Sequence, residues 1–94
     1  MMTKKKFDSV WDAIEDTHEA AENMKLRSTL MTALQSHISR AGLSQANAAK
    51  LFGVTQPRIS DLVRGKIGLF GLDALVNMAA AADLKIELRI LEKT

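Results

Sequence analysis

Residues 44–65 read SQANAAKLFGVTQPRISDLVRG, and this stretch carries the most specific structural pattern of the chain. Ser44 is a favoured N-cap residue, and the apolar-rich stretch after it predicts a helix that ends at Gly53. Thr55 is a second N-cap residue, and Pro57 falls in the first turn of the next helix, where its missing N–H costs no hydrogen bond. The stretch therefore predicts two short helices joined by a tight turn.

The same stretch carries the residues that two crossing helices need. Ala49 is small enough for close contact, and Gly53 can adopt the positive φ that the turn requires. Val54, Ile59 and Leu62 supply apolar side chains with which the second helix packs against the first. This pattern predicts a helix-turn-helix, in which the second helix presents its N-terminal residues to base edges in the major groove of DNA.

Two apolar stripes flank this motif and complete an all-α domain, predicted to span residues 19–83. One predicts a helix from Glu19 to Ala41, which Gly42 ends in a left-handed conformation. The other predicts a helix from Leu72 to Ala82. Its expected inward face comprises Leu72, Leu75, Val76 and Ala79. In the second helix of the motif, Val63 is expected to face inward together with Ile59 and Leu62.

The first 18 residues form an acidic leader. Between Phe7 and Met24 the chain has no Lys or Arg, and its acidic residues are Asp8, Asp12, Glu15, Asp16, Glu19 and Glu22. From Lys25 to Thr94 it has ten basic residues against five acidic ones, which favours a polyanionic partner. The helix-compatible apolar residues of the leader are Phe7, Val10, Trp11 and Ile14. They are either core residues or anchors for a basic protein partner, and the leader itself folds back, repels DNA or meets that partner. Lys4–Lys6 form either a tail or an arm that touches DNA.

The C-terminal residues 84–94 have a different period. Apolar and charged residues alternate, with Leu84, Ile86, Leu88 and Ile90 on one face, which predicts a strand with one buried face. A strand needs a partner, and the same strand of a second copy is the expected one. Antiparallel pairing centred on Ile86 or on Leu88 opposes unlike charges, whereas centring on Glu87 opposes like charges. The alternatives are a frayed tail or pairing with the leader.

The motif resembles the lambda-repressor-like, or XRE, family of helix-turn-helix regulators. Residues 43–66, LSQANAAKLFGVTQPRISDLVRGK, follow its pattern, with Gln45 opening the first helix and Ala49, Gly53, Ile59 and Leu62 at the expected intervals. The leader and the ending GLDALVNMAAAADLKIEL look like the HigA-like branch of antitoxins. That resemblance implies a homodimeric repressor of its own operon that binds a small basic ribonuclease toxin of the RelE/HigB type. Asp83 departs from the pattern, since a glycine is expected at the end of the last helix.

The resemblance also implies roles for single residues. The helix of residues 55–64 exposes Gln56, Arg58, Ser60 and Asp61 as candidates to read bases, and a glutamine amide can bond adenine N6 and N7 together. Arg58 is expected to reach guanine or a phosphate. Asp61 is expected either to accept from a cytosine amine or to orient Arg58 or Arg64. Candidate phosphate contacts are Ser44, Gln45, Thr55, Arg64 and Lys66.

Other functional classes lack support in the sequence. The chain has no cysteine, and its two histidines, His18 and His37, show no metal-ligand spacing, so neither a metal nor a cofactor is expected. No nucleophile with a neighbouring base and no glycine-rich phosphate loop indicates an enzyme. No apolar stretch is long enough for a signal peptide or a membrane span, which predicts a cytoplasmic protein. Two functions remain: a repressor that binds a double-stranded DNA operator, free-standing, phage-type or with a toxin, and a protein-interaction module with weak DNA binding.

Overall fold

The computed structural model describes residues 10–92. Within this range the chain forms five α-helices and one 3₁₀ turn, and no β-strand. The helices are α1 (Val10–Ile14), α2 (His18–Ala41), α3 (Gln45–Phe52), α4 (Gln56–Val63) and α5 (Leu72–Ala81); the 3₁₀ turn (Ile67–Leu69) lies between α4 and α5. The predicted all-α class is confirmed for the described residues.

Helix α2 is the longest element, and local chemistry sets both of its ends. The side chain of Thr17 accepts a hydrogen bond from the N–H of Ala20 at 3.0 Å, so the helix begins one residue before the predicted Glu19. Gly42 adopts φ 65°, ψ 36° and its N–H donates to the last carbonyls of the helix, as its sequence position predicts. Neither α2 nor any other helix in residues 10–92 is long and apolar enough to cross a membrane.

A single hydrophobic core joins α2, α3, α4 and α5. Its buried members are Met31, Leu34, Ile38, Ala48, Ala49, Phe52, Ile59, Leu62, Phe70, Leu75, Met78 and Ala79. No polar or charged side chain is buried among the described residues, so burial here leaves no polar group without a partner. Phe70, in the link that precedes α5, is fully buried and fixes that link to the helices.

Two predicted inward residues face solvent instead. Val63 is 47% exposed, because Ile59 and Leu62 already fill the core-facing side of α4 and Val63 falls beside them at the end of the helix. Val76 is 42% exposed, and the buried residues of α5 are Leu75, Met78 and Ala79. The apolar stripe of α5 is therefore rotated toward Met78 relative to the prediction.

The predicted C-terminal strand is absent from the single chain. Residues 84–92 are assigned neither helix nor strand, because a strand requires a hydrogen-bonded partner and no segment within residues 10–92 pairs with this one. Leu84 instead packs against the core, and its N–H donates to the carbonyl of Ala79 at 2.9 Å. The first residue of the alternating segment thus serves to terminate α5.

Candidate nucleic-acid interface

The joint between α3 and α4 rests on the backbone conformation of Gly53. This residue has φ 69° and ψ 35°, and its N–H donates to the carbonyl of Ala49, as does the N–H of Val54 at 3.0 Å. A Cβ atom at Gly53 would meet only the Cβ of Ala81, at 3.7 Å, which is an ordinary contact. The glycine is therefore needed for its positive φ and not for lack of space.

Small and apolar residues hold α3 against α4. Ala48 and Ala49 of α3 are buried, as are Ile59 and Leu62 of α4, while Val54 in the turn is half-buried against the same core. Because both alanines are buried in the close-packed core, a larger side chain at either position would displace its neighbours. The packing leaves the opposite side of α4 available to a ligand.

The N-terminus of α4 is capped and open to solvent. Thr55 has an extended backbone (φ −81°, ψ 161°), and its Oγ1 accepts from the N–H of Arg58 at 3.4 Å. Gln56 and Pro57 follow in the first turn and are exposed. Gln56 makes no side-chain hydrogen bond with any of residues 10–92, so its amide is available for an external partner.

Helix α2 supports the other end of α4. The Nε2 of Gln35 donates to the carbonyl of Leu62 at 2.8 Å, and the same carbonyl also accepts from the N–H of Gly65 at 3.0 Å. Gly65 then turns the chain with φ 75°. The orientation of α4 is thus fixed by a hydrogen bond from the longest helix as well as by apolar packing.

Arg58, a predicted base reader, is engaged within the protein. Its Nη1 donates to the carbonyl of Leu69 at 2.8 Å, and its guanidinium lies over the ring of Phe70, 4.0 Å from the ring centroid. The side chain therefore bridges α4 and the link before α5. In this conformation it does not project freely from the exposed side of α4.

Two exposed basic residues, Arg64 and Lys66, follow α4, and we call them the basic border. Asp61 lies 3.7 Å from the Nζ of Lys66, so its partner is Lys66 and not Arg58 or Arg64 as the sequence suggested. Arg64 and Lys66 are exposed, and Ser60 is half-buried. The carboxylate of Asp61 holds a lysine at the end of α4, where the lysine can still meet a phosphate.

The N-terminus of α3 has the same capping chemistry as that of α4. The Oγ of Ser44 accepts from the N–H of Asn47 at 3.0 Å, with an extended backbone at Ser44 (φ −71°, ψ 164°). Ser44, Gln45 and Thr55 are all exposed. Each helix start combines free N–H groups with a hydroxyl side chain, which is the chemistry that binds phosphate oxygens.

The leader helix α1 lies against α2 and is tied to it by charge. The Nζ of Lys25 lies 2.9 Å from Asp12 and 2.7 Å from Glu22. Hydrogen bonds to Glu22 and then to Asp12 raise the pKa of Lys25 above its ordinary value. His18, Asp12 and Glu22 have ligand atoms within 4.8 Å of one another, but both carboxylates already pair with Lys25, so we assign this cluster to the docking of α1.

The apolar residues of the leader are only partly used by that docking. Trp11 is half-buried, while Val10 and Ile14 are 63% and 60% exposed. Phe7, the fourth predicted partner-binding residue, and Lys4–Lys6 lie outside the described residues. The described part of the leader therefore presents two aliphatic side chains beside its acidic residues.

Sequence reasoning missed Gln35 and Phe70 as supports of α4. Gln35 is one of many polar residues on α2, and nothing in its spacing distinguishes it. Phe70 gave a usable signal, because the link KIGLF contains three large apolar residues in five, which is unusual for a solvent-exposed loop.

Comparisons with known proteins agree with this geometry. The helix-turn-helix domain family matches residues 13–91 of the chain. A solved structure described as an XRE family transcriptional regulator is similar with a TM-score of 0.71 and 37% sequence identity, over 78% of this chain and 82% of that one. A search of curated proteins returned no match.

Proposed function

Because the chain belongs to the XRE family of helix-turn-helix transcriptional regulators, we propose that it represses transcription by binding an operator through α4. The observation that carries the proposal is the capped, solvent-exposed N-terminus of α4, where the amide of Gln56 has no partner among residues 10–92. Residues in this position of a helix-turn-helix meet base edges in the major groove.

We assign base reading first to Gln56. Its free amide can donate to and accept from adenine, and Ser60 and Asp61 extend the readable side of the helix. Arg58 would have to leave the Leu69 carbonyl and the Phe70 ring to reach a base. Its contribution to DNA binding is therefore to hold the link before α5 in place, unless DNA displaces it.

Phosphate contacts are assigned to the two helix starts and the basic border. Ser44, Gln45 and Thr55 bring hydroxyl, amide and N–H donors, and Arg64 and Lys66 bring charge. These groups carry no sequence information, so they set affinity and register while Gln56 sets preference.

The experiment measures binding to a duplex from the native promoter and to a scrambled duplex over a range of salt. Gln56→Ala should cost roughly 1–3 kcal/mol on the promoter duplex and little on the scrambled one. Gln45→Ala is the matched control, because loss of a phosphate contact weakens both duplexes alike. Equal affinity of the unmodified protein for both duplexes, at every salt concentration, would reject sequence-specific repression.

We further propose that the repressor works as a homodimer through residues 84–90. Two recognition helices could then meet half-sites about 34 Å apart, one turn of B-DNA. Ile86 and Leu88 support this, since both remain exposed in the single chain and neither has an apolar partner that fully covers it.

The leader supports a second task, neutralisation of a small basic toxin of the RelE/HigB type. Val10 and Ile14 are exposed beside acidic residues, which is the combination that a basic protein surface would recognise. The protein is then an antitoxin that also represses its operon. The alternative is a free-standing or phage-type repressor whose leader has no protein partner.

Capture of the protein encoded beside it in the native operon separates these alternatives. Replacing both Val10 and Ile14 by Ser, or deleting residues 1–16, should abolish capture while DNA binding persists. Val63→Ser removes an aliphatic side chain of α4 that is also exposed, to 47%, and should leave capture intact. Capture that survives the deletion would exclude the leader as the toxin site.

A further inference from the structure

The C-terminal segment lines an apolar groove on the side of α2 and α5. The groove has a volume of about 330 Å³; its apolar walls are Leu26, Leu30, Leu72, Val76, Ile86 and Leu88. Asp73 and Glu87 contribute its charged groups, and both are acidic. Beyond the groove the chain continues with Ile90, 94% exposed, and Leu91, 72% exposed. Aliphatic residues so fully exposed beside an apolar groove indicate a surface that another molecule covers.

The groove is separate from the proposed DNA-binding surface. None of its lining residues belongs to α3, α4 or the turn between them. A protein that fills the groove can therefore leave Gln56 and the phosphate-binding residues free.

The first backbone N–H groups of the C-terminal segment already donate hydrogen bonds within their own chain. Asp83 has φ 61° and its N–H donates to the carbonyl of Ala80 at 3.0 Å, while the N–H of Leu84 donates to the carbonyl of Ala79 at 2.9 Å. Antiparallel pairing centred on Ile86 would set Leu84 opposite Leu88 and Asp83 opposite Arg89 of the second copy. That register would need residues 83 and 84 in a flat strand, which conflicts with their hydrogen bonds and with the left-handed Asp83.

We propose that two copies pair antiparallel through residues 86–90 with Leu88 on the two-fold axis, so that the partner's Ile90 enters the α2–α5 groove beside Ile86. This inference rests on the proposed dimer and adds its register and its docking site. Leu88 meets the partner's Leu88, and Ile86 meets the partner's Ile90. The contact is isologous, so both grooves are filled at once.

Charge complementarity favours a second copy as the occupant. In this register Glu87 lies opposite the partner's Arg89, and the reverse pair repeats on the other side of the axis. Asp73, Glu87 and Arg89 form no ion pair with any of residues 10–92, so these charges are available. A two-stranded ribbon alone is marginal in water, and packing of its apolar face on α2 and α5 supplies the support it needs.

Engineered cysteines test the register directly, because the chain has no cysteine of its own. Directly opposed Cβ atoms of an antiparallel pair lie about 4.5–5.5 Å apart, close to disulfide range, whereas residues four positions out of register are far beyond it. Leu88→Cys should form a covalent dimer under mild oxidation, and Ile86→Cys should remain monomeric on a denaturing gel. Two results would overturn the register and leave the dimer standing. One is a covalent dimer of the Ile86→Cys variant. The other is that neither variant forms a covalent dimer although light scattering shows the protein to be dimeric.

Two further sets of variants keep the test independent of cysteine chemistry. Glu87→Arg and Arg89→Glu should each raise the dimer dissociation constant roughly tenfold, because two symmetric pairs change from attraction to repulsion, and the double variant should restore it. Ile90→Ser should weaken the dimer without lowering the helical content of the monomer. Leu69→Ser, an exposed leucine outside the groove, is the control and should have no effect. An unmodified protein that stays monomeric at millimolar concentration overturns both this proposal and the dimer on which it rests.

Discussion

The guanidinium of Arg58 lies 4.0 Å from the ring centroid of Phe70, and this contact joins α4 to the link before α5. Phe70 is fully buried, and a second arginine, Arg27 of α2, donates from Nη1 to its carbonyl at 3.4 Å. Two arginines from different helices therefore hold the same residue. Side chains that look like DNA ligands in the sequence can in this way support the position of the helix that we propose to bind DNA.

We expect Arg58→Ala to lower the free energy of unfolding by about 2 kcal/mol. The change removes a charged hydrogen bond to Leu69 and the contact with Phe70, which are typically worth about 1.5–3 and about 0.5–1 kcal/mol. Urea denaturation followed by circular dichroism measures it. Arg64→Ala deletes the same charge from an exposed position and should stay within about 0.5 kcal/mol of the unmodified protein. Equal losses for the two variants would contradict a supporting role for Arg58.

Gln35→Ala should destabilise the protein by about 1 kcal/mol and loosen the C-terminal turn of α4. The variant loses the 2.8 Å hydrogen bond from Gln35 to the carbonyl of Leu62, which keeps its backbone hydrogen bond from the N–H of Gly65 at 3.0 Å. Hydrogen exchange should accelerate at the last amides of α4 and remain unchanged in the middle of α2. Ser36→Ala, at the next and exposed position of α2, is the control, and a similar effect there would remove Gln35 as the cause.

The helix-turn-helix was predictable because its signals are local. Ser44 and Thr55 cap helices through hydrogen bonds within three residues, and Gly53 supplies a backbone angle that few other residues adopt. Such features depend on neighbours in sequence, so the residues alone indicate α3, α4 and the turn between them. The bounds of α2 and α5 followed from periodicity to within one residue at each end.

The contacts that the sequence did not reveal are all long-range. The interactions of Arg58 with Leu69 and Phe70 join residues 11 and 12 positions apart, and Gln35 reaches Leu62 across the core. Val63 was misplaced because an apolar residue at the end of a short helix is compatible with either side of it. The alternating segment after Asp83 predicted a strand, but residues 84–92 form none, because a strand requires a hydrogen-bonded partner and no segment within residues 10–92 supplies one.

Asp83 offers a test of backbone conformation at the end of α5. Its φ of 61° is left-handed, a region that costs most side chains roughly 1–2 kcal/mol but that Asp, Asn and Gly tolerate. Asp83→Val should therefore destabilise the protein by about 1–2 kcal/mol, whereas Asp83→Gly should be neutral or stabilising by less than about 1 kcal/mol. Thermal unfolding measures both. Lys85→Val, outside the turn, is the control; a valine tolerated equally at both positions would contradict the strained backbone.

Trp11 is the one tryptophan of the chain and reports the docking of α1 on α2. Lys25→Ala or Asp12→Asn breaks the 2.9 Å ion pair between the helices, so Trp11 emission should shift to the red and become more accessible to iodide. Glu22→Gln is the matched control, because Glu22 and Lys25 belong to the same helix and their pair does not bridge to α1. An identical shift in the Glu22 variant would mean that the emission reports α2 and not the docking.

The same signal should follow pH in a direction fixed by the raised pKa of Lys25, which hydrogen bonds to Glu22 and Asp12 produce. A group whose pKa is raised by its partners stabilises the contact fully below its ordinary pKa, about 10.4 for lysine. That stabilisation is lost as the pH rises through the raised value. Trp11 emission should therefore stay constant from neutral pH to about pH 10 and shift only at higher pH. The chain has no tyrosine, so tyrosinate does not obscure the measurement. A shift completed below pH 9 would show that Lys25 does not hold α1 in place.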